Sequence, residues 1–381
     1  MKKKLLLLTD TIDPMIDGAA IFLRNIIPFL SEKFDVTIIS PYLGKVVYDG
    51  VRLVQFPIIN IKPSHFSDYG LPKINPRVIK REVKQCDFVL NLESLQPFTS
   101  SFFAIRYARK YNKPFFTYTH AIDWESMPEY VIPEYWGISW IIRKMSSLFL
   151  RVYGRQFLKK SDVVIIPFLS IRSIFQKNRV QAHFEVAPVG TSEDFHPGKS
   201  RYDIPEKIVI GYVGRISREK RLDVLLSAFQ KLDAKYPDKL TLLIVGDGPL
   251  RSSIFNDAKN VTITGFVSHK EVAEYLRAMD IFVLPSISET SSISTLEAMR
   301  SGCACVTRDV GCIRDYLDNG KNGFFFTDEN NLYDILERLV TDDVLREKIC
   351  KAARESTIKY SWKNTVDCLE DIINRYSAGS T

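Results

Sequence analysis

Two stretches in the second half of a 381-residue chain hold residue types suited to gripping a diphosphate. In the first, the apolar run Ile210-Gly211-Tyr212-Val213 leads into Gly214-Arg215-Ile216-Ser217-Arg218-Glu219-Lys220-Arg221, and a helical pattern follows from Leu222 to Leu232. Gly214 allows a sharp turn, after which Arg215 and Lys220 present a planar fork and a point charge at a helix entrance. The second stretch runs from Pro285 to Met299 and is rich in hydroxyls. It predicts a capped helix whose first amides also accept a phosphate. Glu289 falls in the loop and Glu297 eight residues later, about two helical turns on, so both carboxylates are expected to face one ligand. A carboxylate suits a ribose or sugar diol because it accepts two hydroxyl hydrogen bonds at once. Taken singly, each feature also reads as ordinary surface: a solvated basic loop, a loop carboxylate, an exposed helical glutamate.

In the first half, Asp17-Gly18-Ala19-Ala20 precedes the helical pattern Ile21 to Leu30 and brings Gly18 to a helix start. The spacing is not that of the dinucleotide fingerprint Gly-x-Gly-x-x-Gly, which argues against a dehydrogenase. His120 ends a strand pattern, where a packed, hydrogen-bonded histidine is the plain alternative to a ligand contact. From Ile138 to Lys160 a helical wheel puts Arg143, Lys144, Arg151, Arg155 and Lys159 in one arc, opposite Trp140, Ile141, Ile142, Met145, Leu148, Phe149, Val152 and Tyr153. Such a helix lies on anionic lipid or packs its apolar face into a core; the neighbouring Tyr130, Trp136 and Trp140 favour the interface. No metal or other cofactor is expected. Cys303, Cys305 and Cys312 lack a fourth ligand, Asp342-Asp343 falls among late helices, and Asp10 and Asp13 are wrongly spaced.

These residues need elements to hold them. Short apolar runs alternate with amphipathic segments throughout, the pattern of parallel sheets covered by helices. Strands are expected at 4–8, 36–40, 51–56, 88–92, 114–119 and 163–167, then at 208–213, 240–245, 261–264, 281–284, 303–307 and 323–326. Each half supplies about six, enough for one doubly wound domain. The expected division is an acceptor-binding domain over 1–189, a turn-rich linker over 190–206 and a donor-binding domain over 207–361, with a helix near 362–376 packing back on the first. Function is expected in a cleft between the carboxyl ends of the two sets of strands. With 45% hydrophobic and 25% charged residues, the chain is an ordinary globular one. The Leu5 to Leu8 run after three lysines is too short for a signal core and reads as a buried strand. Six cysteines in so long a chain fit a reducing cytoplasm and free thiols. Residues 1–189 carry 26 Lys and Arg against 16 Asp and Glu, or +10, whereas 190–381 carry 26 against 29, or −3. The basic half suggests an anionic membrane surface as partner. Nucleic acid is not expected, since zinc-finger spacing, basic-zipper heptads and an aromatic RNA-binding signature are all missing.

Gly214-Arg215 with Lys220, Gly246-Asp247-Gly248-Pro249, Gly265 with Val267, and Glu289 and Glu297 separated by seven residues resemble, in order, the donor half of family 4 glycosyltransferases of the GT-B fold. The likeness runs over most of 207–325. It implies that Arg215 and Lys220 bind the donor diphosphate, Glu297 the ribose and Glu289 the transferred sugar, with Val267, Ser292 and Ile293 also at the donor. It further implies retention of anomeric configuration without a dedicated metal. The loop at Gly18 is similar to the family's glycine loop beside the donor phosphates, and His120 stands where the family has an active-site histidine. The chain departs from the pattern in Glu289-Thr290-Ser291-Ser292, where Glu-Gly-Phe-Gly is common, and in Gly311-Cys312 and Asp315, which stand for a later Gly-Gly and Glu. The expectation is transfer of a hexose from a nucleotide-diphosphate sugar to a hydroxyl of a membrane lipid or lipid-linked glycan, on the cytoplasmic membrane face. Transfer to a soluble sugar or polysaccharide, and sugar-nucleotide binding without catalysis, are the open alternatives.

Overall fold

A computed structural model describes residues 2–378 except 16–17, 60–70, 94, 96, 98, 121–123, 125–138, 203, 205–206 and 257. The chain divides into two compact units, residues 1–190 with 362–381, and residues 191–361. Each is built on a wholly parallel main sheet.

In the first unit, strands β1 (Lys4–Leu8), β2 (Asp35–Pro41), β3 (Val51–Phe56), β6 (Phe88–Asn91), β7 (Phe115–Tyr118), β8 (Val163–Ile166) and β9 (Phe184–Val186) lie in the order β3-β2-β1-β6-β7-β8-β9; β4 (Ile58–Ile59) and β5 (Leu71–Pro72) form a small antiparallel pair. The order reverses between β1 and β6. That reversal is the topological switch point at which open sheets of this kind bind ligands. The first unit's helices are α1 (Gly18–Lys33), α2 (Pro76–Gln85), α3 (Ser100–Lys110), α4 (Ser139–Leu158) and α5 (Leu169–Lys177). Apolar runs such as Leu5 to Leu8 and Val163 to Ile166 are almost fully buried because helices cover both faces of a parallel sheet. Strand β9 was not in the sequence pattern: it has three residues, with Glu185 in the middle, and only its pairing with β8 makes it a strand. The last helix, Trp362–Ala378, also belongs here. It is fastened through Lys33 to Asp367 at 2.8 Å, Thr365 Oγ1 to Pro188 O at 2.7 Å, Arg375 to Glu185 at 3.1 Å and the Trp362 ring on Phe22.

The second unit comprises β10 (Ile208–Val213), α6 (Leu222–Lys235), β11 (Leu240–Val245), α7 (Arg251–Phe255), β12 (Val261–Ile263), α8 (His269–Arg277), β13 (Ile281–Leu284), α9 (Ile293–Ser301), β14 (Ala304–Arg308), β15 (Phe324–Phe326), α10 (Glu329–Thr341) and α11 (Asp343–Thr357). Its sheet order is β12-β11-β10-β13-β14-β15, so its switch point lies between β10 and β13. The turn-rich stretch after Gly190 is bound to this unit from Thr191 onward: Thr191 pairs with Ser361, and Arg277 donates to Asp194 O at 2.9 Å. Cys303, Cys305 and Cys312 are buried free thiols, Asp342 caps α11 by accepting from Leu345 N, and Asp13 is tied to Arg24 and Tyr48. Packing and helix capping account for them.

Candidate active site

Loops leaving parallel strands all emerge at one edge of a sheet, and the residues singled out in the second half converge at the carboxyl edge of the second unit. The loop after β10 crosses that after β11 in backbone contact. A Cβ on Gly246, where φ is +136°, would stand 2.0 Å from Gly214 O, so glycine is required there. A 3-10 turn over Arg218–Lys220 and a left-handed Arg221 then feed α6. The carbonyl of Glu219 accepts from Ile287 N at 2.9 Å, which ties the β10 loop to the β13 loop across the switch point. On that tie Lys220 Nζ donates to Glu289 Oε1 at 2.6 Å, both side chains mostly buried. Arg215 is exposed, and its backbone carbonyl accepts from Tyr212 Oη at 2.9 Å.

The β13 loop differs from the expectation in two ways. Helix α9 begins only at Ile293, so Glu289 and Glu297 are not joined by two helical turns; the stretch up to Ser292 is irregular. Nor does a hydroxyl cap the helix. Ser292 has φ 42° and ψ 74°, the left-handed region glycine favours, and its Oγ pairs with Thr295 Oγ1 at 2.7 Å instead of an amide. The helix start at Ile293 therefore has no side-chain cap, as an anion site needs. Gly311, at φ +60°, lets the β14 loop seat against this one: a Cβ there would lie 2.3 Å from Glu289 O. The Tyr316 hydroxyl donates to Ser291 O at 2.8 Å from the same side.

Glu297 does not share a partner with Glu289. It is buried to 3% exposure on α9, where His269 Nε2, at the start of α8, donates to its Oε1 at 2.7 Å. Val267 lies half-buried in the loop that enters α8. His269 escaped sequence reasoning because 28 residues separate it from Glu297 and only helix packing joins them.

At the first unit's carboxyl edge, Gly18 opens α1 and is exposed, while Asp17 lies outside the described residues. His120 is in ring contact with Phe22 and Tyr118 at 4.6 and 4.8 Å, and its Nε2 is buried with no hydrogen-bond partner among the described residues. Burial pushes the imidazole down to about 3, so it is neutral at physiological pH. Glu93 was missed as well. The register that pairs Leu8 with Asn91 sets Asp10 and Glu93 level at the switch point, and Glu93 Oε2 accepts from Ser101 N at 2.6 Å. Burial, with the Asp10 charge adding to it, pushes the Glu93 carboxyl up to about 7.

Helix α4 presents outward the apolar side that a core helix would bury. Trp140, Met145, Leu148, Phe149 and Val152 are between 49% and 66% exposed, whereas its fully buried residues are Gly154, Phe157 and Leu158 near the end. Of the basic arc, Lys144 and Lys159 are exposed. Arg143 and Arg151 are half-buried, as is Arg155, whose Nε donates to Asn178 O at 2.5 Å. Tyr130 and Trp136 lie outside the described residues. No described helix is long and apolar enough to cross a membrane, and no three described His, Cys, Asp or Glu residues stand close enough to hold a metal ion.

Residues 207–342 match the family described as glycosyl transferases group 1. The chain is 29% identical over 308 residues to sulfoquinovosyl transferase SQD2 of Arabidopsis thaliana, an alignment covering 76% of this chain and 57% of that protein. It is 25% identical over 380 residues to the alpha-monoglucosyldiacylglycerol synthase of Streptococcus pneumoniae, covering 92% and 82%. The chain thus spans little more than half the length of the first of these relatives. Among solved structures, sucrose-phosphate synthase from Thermosynechococcus elongatus superposes with a TM-score of 0.78 at 16% identity, over 99% of this chain and all of that one. At that identity the likeness establishes the fold, two Rossmann-like units of the GT-B type.

Proposed function

Residues 207–342 are a glycosyl transferases group 1 domain in a chain of GT-B fold, and from that premise we propose that the protein is a retaining glycosyltransferase moving a hexose from a nucleotide-diphosphate sugar to a hydroxyl of a membrane lipid or lipid-linked glycan. The observation that carries the reading is the convergence of Arg215, the Lys220 and Glu289 pair and the uncapped start of α9 at one switch point. Cations and helix-start amides suit a leaving diphosphate, whose negative charge grows as the sugar departs. In the proposed step the acceptor hydroxyl oxygen bonds to the anomeric carbon on the face the diphosphate leaves. The bond from that carbon to the diphosphate oxygen breaks with its electron pair, and the diphosphate takes the hydroxyl proton. Glu289, held by Lys220 through Oε1, keeps Oε2 for a hydroxyl of the transferred sugar, and Glu297 serves the ribose.

Two things support a lipid acceptor. One relative is named for making a glucosyldiacylglycerol, and α4 exposes an apolar row beside Lys144 and Lys159 in the half of the chain that carries +10. A row of this kind dips into the headgroup boundary while the lysines meet anionic lipid. The protein then works as a peripheral one on the cytoplasmic face. The test combines nucleotide sugars, screened for product release, with diacylglycerol-containing anionic vesicles or soluble sugars as acceptor. Product on the vesicles is the expected result. Turnover only with soluble sugars moves the acceptor to a free glycan, and nucleotide binding without turnover leaves a binding protein.

A further inference from the structure

The contact between His269 and Glu297 joins two helices that follow different strands, and it touches one oxygen of the carboxylate only. His269 is placed by its own helix start. Ser268 caps α8, with its Oγ accepting from Glu271 N at 3.3 Å and Glu271 Oε2 accepting from Ser268 N at 3.0 Å, so the first turn is fixed from both ends. The Phe195 ring stands 5.1 Å from the imidazole and limits its rotation. From there Nε2 donates to Glu297 Oε1 at 2.7 Å. No described residue donates to Oε2, and that oxygen is not among the sealed polar atoms of the unit.

A glutamate on a helix has three side-chain torsions to fix before it can meet a ligand hydroxyl in a set geometry, and each one costs rotamer freedom on binding. A donor already locked on Oε1 removes that cost. We propose that His269 is the positioning residue for nucleotide binding: it holds the Glu297 carboxylate so that Oε2 is aimed at a ribose hydroxyl. The proposal rests on the reading of Glu297 as the ribose contact. Through Glu297, this histidine strengthens the preference for a ribonucleotide over a deoxynucleotide.

Calorimetry with UDP, GDP and ADP first finds the diphosphate that binds most tightly; failure of all three would overturn the donor reading itself. The same nucleotide without its 2′ and 3′ hydroxyls then gives the ribose preference as a ratio of Kd values. His269→Ala is expected to weaken the ribonucleotide at least fivefold and leave the dideoxynucleotide unchanged, so the ratio collapses. His269→Asn, too short to reach Oε1, should behave alike, and His269→Gln, whose Nε2 reaches and donates, should restore most of the ratio. In turnover the loss should sit in KM for the donor with kcat nearly kept. Glu297→Gln separates the two levels. If it leaves the ratio intact, Glu297 is not at the ribose. If it lowers the ratio while His269→Ala and His269→Asn keep it, the positioning role is overturned.

Discussion

At the carboxyl edge of the second sheet the polar side chains are paired and mostly buried, Lys220 with Glu289 and His269 with Glu297, while Arg215 is exposed. The corresponding edge of the first sheet holds buried groups kept neutral or left without partners. His120 stays uncharged, Glu93 titrates near neutrality, and Thr11 Oγ1 is buried with no hydrogen-bond partner among the described residues. An edge with a paired lysine and an exposed arginine suits an anionic nucleotide, because both cations can form charge-assisted hydrogen bonds to phosphate oxygens. An edge with a neutral histidine and a raised carboxyl suits hydroxyl groups, which can satisfy orphaned donors and acceptors without bringing charge. Two sheets of one topology thus carry different chemistry through the loops beyond their strands.

The contrast breaks most easily at Lys220. Lys220→Ala removes a cation from the diphosphate and frees the Glu289 carboxylate to repel it, so kcat/KM should fall about a hundredfold, and Arg215→Ala about tenfold. Steady-state kinetics on folded variants checks this. Unchanged rates in both would remove the second unit's edge from the chemistry.

A stability measurement probes the edge of the first sheet. Glu93 has a folded-state pKa of about 7, raised above its ordinary 4.5. Between those values the folded chain holds a proton that the unfolded chain releases, so Glu93's contribution is complete below 4.5 and is lost as pH rises through 7. Relative to Glu93→Gln, which cannot titrate, the wild type should lose on the order of 2 kcal/mol from pH 5 to pH 8. Denaturant unfolding at both pH values gives the difference, and equal differences would mean that Glu93 is solvated.

The exposed row on α4 gives the next contrast. Leu148→Asp and Phe149→Asp should each weaken binding to anionic vesicles about tenfold, since the lost apolar burial is worth about 1.5 to 3 kcal/mol. Nucleotide affinity should stay as it was. Flotation with vesicles and calorimetry separate the two, and flotation unchanged in the double variant would take α4 off the membrane.

Much of the second unit was legible because its signals are local. Glycines, cations and hydroxyls stand within a few residues of the strand ends they follow, and apolar strands such as Ile208–Val213 and Leu240–Val245 have boundaries set by turn residues. What sequence could not show were contacts made by packing: His269 on Glu297, Asp10 level with Glu93, and β9 defined by its neighbour. The amphipathic pattern of α4 was legible too. Which of its faces is covered was not, because periodicity marks an apolar stripe without saying what lies against it.

The smallest effect tests whether the missing glycines of the Glu289 loop matter. Ser292 stands in the left-handed region, where a side chain costs about 1 to 2 kcal/mol. Ser292→Gly would relieve that strain, yet it would also add chain entropy to the unfolded state and remove the hydrogen bond to Thr295, which is itself fully buried. These terms oppose one another, so stability should change by less than about 1 kcal/mol. Diphosphate affinity should rise by no more than about threefold, because the proposed contact there is made by backbone amides that the Ser292 side chain, turned toward Thr295, does not cover. Calorimetry with the nucleoside diphosphate reads the affinity directly. A gain of more than tenfold would mean that the serine blocks the helix start and that the loop is a weakened form of the glycine one. An unchanged affinity would place the binding in the backbone, where a serine serves as well as a glycine once its conformation has been imposed.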